Sequence, residues 1–438
     1  MTDHYLRVEW GTKERFTEEC IQINTAYKRR RKLSLQRKQL FIATTEGMST
    51  TIFQVLLGGP FLTGYLLYLG ADSSVIGFVL SIATLVNIVQ LFIAFMAQKL
   101  QSRKWTLVIF IAIQRILWAS TGLIPFVIDK EWWVPVFIIL YASAFMANTV
   151  ISVLWTSLLS DIVPAGVRGR YFGIRNTIMN ALGSVMIFVG GKILDSNPES
   201  TGFSILFILA GIFGIINIVT FFFYPDLPFE RSTEKQLLPM MKKPLMDASF
   251  MKSTMFLAAW LFLQSLVVPL FSYIMLDLLH INYQSLSLLT VVQTISMMLS
   301  FYIWGNLNAR YSNKTLLFWT LPIIALSCIT WGLLAFLPVL LVLLISHILL
   351  GIGGGGFNQL VFNFTIGDTP KSERPMFIAM FAAITGVTSF LGPMIGGQLF
   401  KIMRVFPEWV QQYGFQTVVG FVMLIVALTF GRRILREV

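Results

Sequence analysis

The chain has 438 residues, 56% of them hydrophobic and only 12% charged, with a mean hydropathy of +0.74 and a net charge of +12. An ordinary soluble domain is about 25% charged, so this balance excludes a soluble multidomain enzyme, and the apolar excess excludes a disordered chain. A soluble protein this basic would point to nucleic acid, whereas in a membrane protein the same excess marks one face of the bilayer.

The first 40 residues are polar. They end in Lys28-Arg29-Arg30-Arg31-Lys32 and Arg37-Lys38 and have no short apolar core, so a cytoplasmic basic tail is expected rather than a signal peptide. The alternative reading of that tail is a lipid-headgroup or regulatory patch. Apolar runs of bilayer-spanning length then recur over 41–69, 75–97, 105–128, 132–158, 172–194, 202–224, 253–279, 285–304, 314–336, 339–366, 376–400 and 414–431. Breaks such as Asp129-Lys130-Glu131 are plain, while only Leu337-Pro338-Val339 divides the ninth run from the tenth. The longest internal polar stretch, 225–252, separates a six-span half at 41–224 from a second at 253–432, leaving a short tail at 433–438.

With the N-terminus inside, 28 of the 33 Lys and Arg, counting Arg175 with a loop, fall on the inner side. Four fall outside (Lys130, Lys192, Lys401 and Arg404), and Arg115 lies within the third run. This asymmetry predicts an even number of crossings with both termini cytoplasmic. It also removes the nucleic-acid reading. Cys20 and Cys328 lie in opposite surroundings, and three histidines lack partner cysteines, so no disulfide, metal site or cofactor is expected.

The halves share a repeat. Pro164-Ala165-Gly166-Val167-Arg168 after the fourth run matches Pro370-Lys371-Ser372-Glu373-Arg374 after the tenth, with Arg168 and Arg374 206 residues apart. The same offset carries Gly190-Gly191 onto Gly396-Gly397, and Asp161 and Asp368 precede the two prolines. After the second and eighth runs, the stretch from Ala94 with Lys99 and Arg103 corresponds to the stretch from Gly305 with Arg310 and Lys314, at an offset of 211.

These features resemble the major facilitator superfamily (MFS). Of its loop motif, Gly-x-x-x-Asp-Arg/Lys-x-Gly-Arg/Lys-Arg/Lys, the second copy keeps Gly305, Arg310 and Lys314 and the first keeps Lys99 and Arg103. Gln98 and Ala309 replace the acid, and Gln101 and Ser312 replace the inner glycine. Asp161, beside Arg168 and Arg170, is the alternative acid. The resemblance implies an all-α membrane protein of twelve transmembrane helices in two pseudo-symmetric halves that rock about a midplane site. It also implies that the first, fourth, seventh and tenth helices line the path, with help from the second, fifth, eighth and eleventh.

Polar side chains within such helices are candidates, since lipid cannot satisfy them. Glu46 lies about 8 Å into the first run and Arg115 about 15 Å into the third, at 1.5 Å per residue. Glu46 is a proton-coupling candidate or an interfacial acid; Arg115 is a hydrogen-bond hub, with Glu46 one partner, or a substrate contact. Asp277 with His280, spaced to share a helix face, and His347 are further proton candidates, each equally readable as structural. The amide and aromatic set is Gln54, Asn87, Gln90, Asn148, Trp155, Asn176, Asn180, Gln264, Tyr273, Gln293, Asn358, Gln359 and Asn363. As a group it suits hydroxyl-rich solutes; any one amide reads equally as glue between helices. Gly351-Ile352-Gly353-Gly354-Gly355-Gly356 lacks the Lys-Ser/Thr of a phosphate loop and reads as a packing surface or hinge.

The expectation is therefore a secondary transporter in a bacterial plasma membrane, monomeric and contacting lipid, and taking up a sugar-like or other polar solute with protons. Efflux of amphipathic compounds, a polytopic enzyme and a transporter-derived sensor are the alternatives.

Overall fold

Twelve helical segments follow one another along the described residues of the computed structural model, which are 37–97, 102–163, 168–197, 200–226, 244–308, 310–367 and 374–435. They are α1 (Arg37–Tyr68), α2 (Ser73–Ala97), α3 (Arg103–Val127), α4 (Trp133–Ile162), α5 (Arg168–Ser196) and α6 (Ser200–Phe222) in the first half. The second half has α7 (Ala248–Leu278), α8 (Tyr283–Leu307), α9 (Asn313–Ala335), α10 (Val339–Gly367), α11 (Arg374–Ile402) and α12 (Val410–Leu435). Eleven of them are long and apolar enough to cross a membrane; in α2 the described apolar stretch is Ser73–Thr84. The ninth and tenth runs are separate helices, broken at 336–338 as Pro338 suggests.

The repeat extends to details of helix initiation. Ser102 caps α3 by accepting from the Trp105 N–H at 3.4 Å, and Ser312 caps α9 by accepting from Thr315 N–H at 3.3 Å. Asp72 caps α2 through Val75 N–H and Asn282 caps α8 through Ser285 N–H. Both pairs are 210 residues apart, which corrects the loop alignment of 211 by one. A serine hydroxyl that satisfies the first turn stands near where the family motif has its inner glycine. Asp226, just past α6, accepts from Ser102 Oγ at 3.1 Å, bringing an acid to the α3 start that the loop itself lacks.

The first helix of each half is broken, at equivalent positions. α1 bends at Gly58, where Gly59 takes φ +52° and Pro60 starts a new helical stretch, Gly59–Tyr68. Only glycine adopts that left-handed backbone without strain. α7 breaks after Ser265 into a 3-10 turn at Val268-Pro269-Leu270. Pro60 and Pro269 are 209 apart. Each proline lacks the N–H that an unbroken helix would use.

The ends of the bundle are defined by the chain: the near end holds the start of α1 and the end of α12, and the far end holds the α1–α2, α5–α6, α7–α8 and α11–α12 turns. The halves meet where α2 packs on α11 and α5 packs on α8. Glycines allow this at the far end. A Cβ on Gly397 would strike the Ser73 carbonyl and lie 3.1 Å from the Gly77 Cα; one on Gly191 would strike Ser287 Oγ and lie 2.8 Å from the Tyr283 carbonyl. Gly191 and Gly397 are the glycines that the repeat aligned, and their partners Ser73/Tyr283 and Gly77/Ser287 are each 210 apart. Backbones therefore touch backbones at two symmetry-related crossings.

Candidate functional site

Hydroxyls on the near-end part of α1 are absorbed locally: Thr44, Thr45 and Thr51 each donate to the carbonyl four residues earlier. Thr44 and Thr51 also touch α5, at Tyr171 OH and Met179 Sδ, and Glu46 and Thr50 reach several helices at once. Glu46 is buried at 3% exposure. Its Oε2 accepts from Trp155 Nε1 at 3.1 Å and Tyr224 OH at 3.3 Å and lies 3.5 Å from Arg175 Nη2; its Oε1 accepts from Thr50 Oγ1 at 2.8 Å. Every neighbour is a donor, which suits a carboxylate with acceptors alone. Arg175 also stacks over the Trp155 ring, 5.1 Å from its centre. The loop residue counted for orientation is thus two turns inside α5, joining α1 to α5.

Arg115 does not pair with Glu46, contrary to one sequence reading. Its Nε and Nη2 donate to Asn217 Oδ1 at 3.2 and 3.1 Å, its Nη1 to Gln114 Oε1 at 2.6 Å, and its Nη2 to Thr50 at 3.2 Å. The guanidinium also lies 4.4 Å from the centre of the Phe53 ring. Asn217, wholly buried, returns its Nδ2 to the Glu46 carbonyl, Ser49 and Thr50. Thr50 thus accepts from Arg115 and Asn217 and donates to Glu46. One continuous network ties α1, α3, α4, α5 and α6 together within the first half. Sequence reasoning missed Arg175, Asn217 and Tyr224; Asn217 was legible as the lone amide of the α6 apolar run.

The amides form a second set. Gln54 in α1 and Gln264 in α7 are 210 residues apart and lie six and five residues before Pro60 and Pro269, the prolines of their helix breaks. Gln54 is exposed although it is mid-helix, and so is Asn358 in α10. An exposed amide at that depth needs a water-filled path rather than lipid. The side-chain oxygens of Gln264 and Gln359 are buried with no hydrogen-bond partner among the described residues. Asn148, Asn180 and Gln293 are half-buried, Asn176 is exposed, and the Trp155 indole is committed to Glu46. Asn87, Gln90, Asn363, Asp161, Arg168 and Arg374 lie on helices, but their side chains are outside the described residues, as are Lys99 and Asp368 altogether. Arg103 is buried at the start of α3, Lys314 is half-buried and Arg310 exposed.

The glycine run does not interrupt α10. Cβ atoms at Gly351 and Gly355 would strike α8, and one at Gly353 would crowd Ile324 of α9, so these serve close packing. Gly354 alone faces open space, on the same face as Asn358 one turn on. Gly354→Trp is therefore expected to leave thermal stability near wild type while cutting solute uptake at least tenfold by filling the path; undiminished uptake in proteoliposomes would refute this.

The proton candidates of the second half divide. His347 is 3% exposed with Nδ1 2.7 Å from the Leu343 carbonyl, a contact made by an Nδ1–H tautomer within its own helix. Asp277 and His280 do not share a helix face. The helix ends at Leu278, the Leu279 and Ile281 N–H groups close back on Ile274 and Met275, and His280 sits at φ +50° beyond the end. At the far end, burial opposes the charge of Asp72. The hydrogen bonds from Lys401 and Val75 N–H, and the charges of Lys401 and Arg404, outweigh it and hold the carboxyl below its usual range.

Twelve helices in two repeat-related halves, with the first helix of each half broken at an equivalent position, define a membrane transporter of the MFS fold. The chain belongs to the MFS_1 like family, whose model matches residues 55–411. A relative, the MFS-type transporter pgmG of Aspergillus terreus, is 36% identical over 72 residues, 16% of this chain and 13% of that protein. Among solved structures, a D-xylose-proton symporter superposes with TM-score 0.71 at 14% identity, covering 91% of this chain and 97% of its own. A point mutant of the nucleoside transporter NupG gives 0.70 at 15%, covering 90% and 98%. A bacterial homologue of the iron transporter ferroportin, inward-facing, gives 0.65 at 13%, covering 92% and 99%.

Proposed function

We propose that the chain is a secondary transporter that takes up a neutral, hydroxyl-bearing organic solute across a plasma membrane, with its near end in the cytoplasm. The observation that carries the solute class is the pair of amide oxygens without a partner among the described residues, Gln264 and Gln359, taken together with the exposed amides Gln54 and Asn358. Buried acceptors without donors are costly, and solute hydroxyls supply donors. Glycine- and proline-interrupted helices at equivalent positions of two halves are where such folds bind solute. Among the residues named for this path there is no acid, so it favours neutral over cationic cargo. The xylose and nucleoside neighbours carry hydroxyl-rich solutes of that kind. The near end is assigned to the cytoplasm by its basic excess. Gln54 precedes the α1 break and Asn358 lies in the last third of α10, so both are reached from that side.

Proton coupling is part of the proposal. A proton on Glu46 would weaken its hold on Arg175 and free α5 to move relative to α1.

The test is a thermal-shift panel of sugars, nucleosides and cationic amphiphiles on the purified protein, followed by uptake into proteoliposomes with and without an imposed pH gradient. A hydroxylated solute is expected to stabilise the protein, and Gln264→Leu is expected to weaken its binding about tenfold, the loss of one or so hydrogen bonds. Stabilisation by cationic amphiphiles alone would overturn the solute class. Uptake indifferent to the pH gradient, with Glu46→Gln as active as wild type, would remove the proton.

A further inference from the structure

On sequence, Lys401 counts only toward orientation; in the structure Asp72, Asp195 and Lys401 each reach across to the other half at the far end. Asp195, at the end of α5, accepts from the backbone N–H groups of Tyr283 at 3.0 Å and Gln284 at 2.7 Å, the first residues of α8. Lys401, at the end of α11, lies 2.9 Å from Asp72 Oδ2, just before α2. These contacts are related by the repeat. Asp195 and Lys401 are 206 apart, the offset of Gly191 and Gly397 one turn earlier, and Asp72 and Asn282, the caps of the two target helices, are 210 apart. The charge is inverted between them. One half presents a carboxylate to the unpaired N–H groups of a helix start, where anions are favoured. The other presents an ammonium, and its target helix carries an aspartate as cap where α8 carries a neutral asparagine.

We propose that Asp195 and Lys401 are a pair of charge-inverted latches that hold the far side of the transporter shut, each placed above one of the two glycine crossings. Both act at the rim, with Lys401 and Asp72 side chains 54% and 27% exposed, so each is weak enough to break in every transport cycle. The crossings beneath them are shape-matched and carry no charge, so the latches set how often they part. The inverted charges also fix pairing: Asp195 has a neutral cap before it at Asn282, whereas at Asp72 it would face a like charge.

The proposal rests on the transporter reading but not on the solute, and its test needs no solute. In a Cys20→Ser background, buried Ser287 on the α5–α8 crossing and buried Ser73 on the α2–α11 crossing are replaced by cysteine one at a time. Labelling by a membrane-impermeant maleimide is then timed in proteoliposomes sorted for far-side-out orientation. Each latch is read at the opposite crossing. Lys401→Gln is expected to speed labelling at Ser287→Cys about two- to five-fold, and Asp195→Ala to do the same at Ser73→Cys, the scale of a rim ion pair. The double variant should show roughly the product. Lys192→Gln, an exposed far-end charge one turn before Asp195, should change nothing. Buried Cys328 stays unlabelled unless the protein unfolds. Faster labelling confined to the crossing beside each substitution would mean local loosening and would overturn the proposal. So would an equal effect of Lys192→Gln, or unchanged rates in the double variant.

Discussion

Glu46→Ala is expected to destabilise the protein by about 3–5 kcal/mol, the loss seen when one member of a buried ion pair is removed and the other is stranded. Arg175 would keep its charge with a side chain only 11% exposed, and Trp155 Nε1, Tyr224 OH and Thr50 Oγ1 would lose their acceptor. Replacing both partners, as Glu46→Ala with Arg175→Met, should recover much of the loss, because no charge remains unpaired. Glu46→Gln should fall between wild type and alanine. Its amide can still accept from Trp155 and Tyr224, but the new N–H₂ meets a Thr50 oxygen already taken by Arg115 and Asn217. Unfolding of the purified variants in detergent measures the series. An alanine variant within about 1 kcal/mol of wild type would show that the cluster is not what joins α1 to α5.

Asn217→Leu is the second large effect, expected at about 3 kcal/mol. Its oxygen is the acceptor for two of the Arg115 donors, and leaving a buried guanidinium short of acceptors costs more than the roughly 1–3 kcal/mol typical of a neutral group. Arg115→Met alone should also destabilise, by orphaning Asn217 Oδ1 and Gln114 Oε1. The double variant removes donor and acceptor together, so it should be less harmful than the sum by about 1–3 kcal/mol. Strict additivity would mean that the two residues act separately, against the shared hydrogen bonds. The pair would matter for function because the family resemblance implies that α1 lines the path, and Arg115 and Asn217 tie it to α3 and α6.

The two networks differ in what they show of function. Both carboxylate oxygens of Glu46 are satisfied and their cluster lies wholly within one half, so the charged carboxylate holds α1 to α5. The amide set is unsaturated and spans both halves, so it has capacity left for a ligand. On the proposed function, satisfied groups such as His347 and Arg115 belong to the scaffold, while Gln264 and Gln359, whose oxygens have no partner among the described residues, belong to the path.

Legibility followed interaction range. Span positions, the division near 225–252 and the repeat were readable because they depend on local composition: a bilayer-spanning run is apolar whatever surrounds it, and a break needs only a proline or a charged cluster. The repeat also anticipated Gly191 and Gly397, since small residues are required wherever two backbones touch. Glu46 and Arg115 stood out because charge is rare at that depth. Their partners did not. Arg175 looked like one more basic loop residue, because its position two turns inside α5 is set by where that helix begins. Asp277 and His280 appeared to share a face that the chain abandons at Leu279. By itself the sequence determined twelve apolar helices in two related halves and the end of the bundle that carries the basic charge. Tertiary structure alone decided which polar groups satisfy one another, which are left open, and that Asp195 and Lys401 face the opposite half. Hydrogen bonds and ion pairs form over about 3 Å between residues up to some three hundred apart in the chain, and only packing brings them within reach.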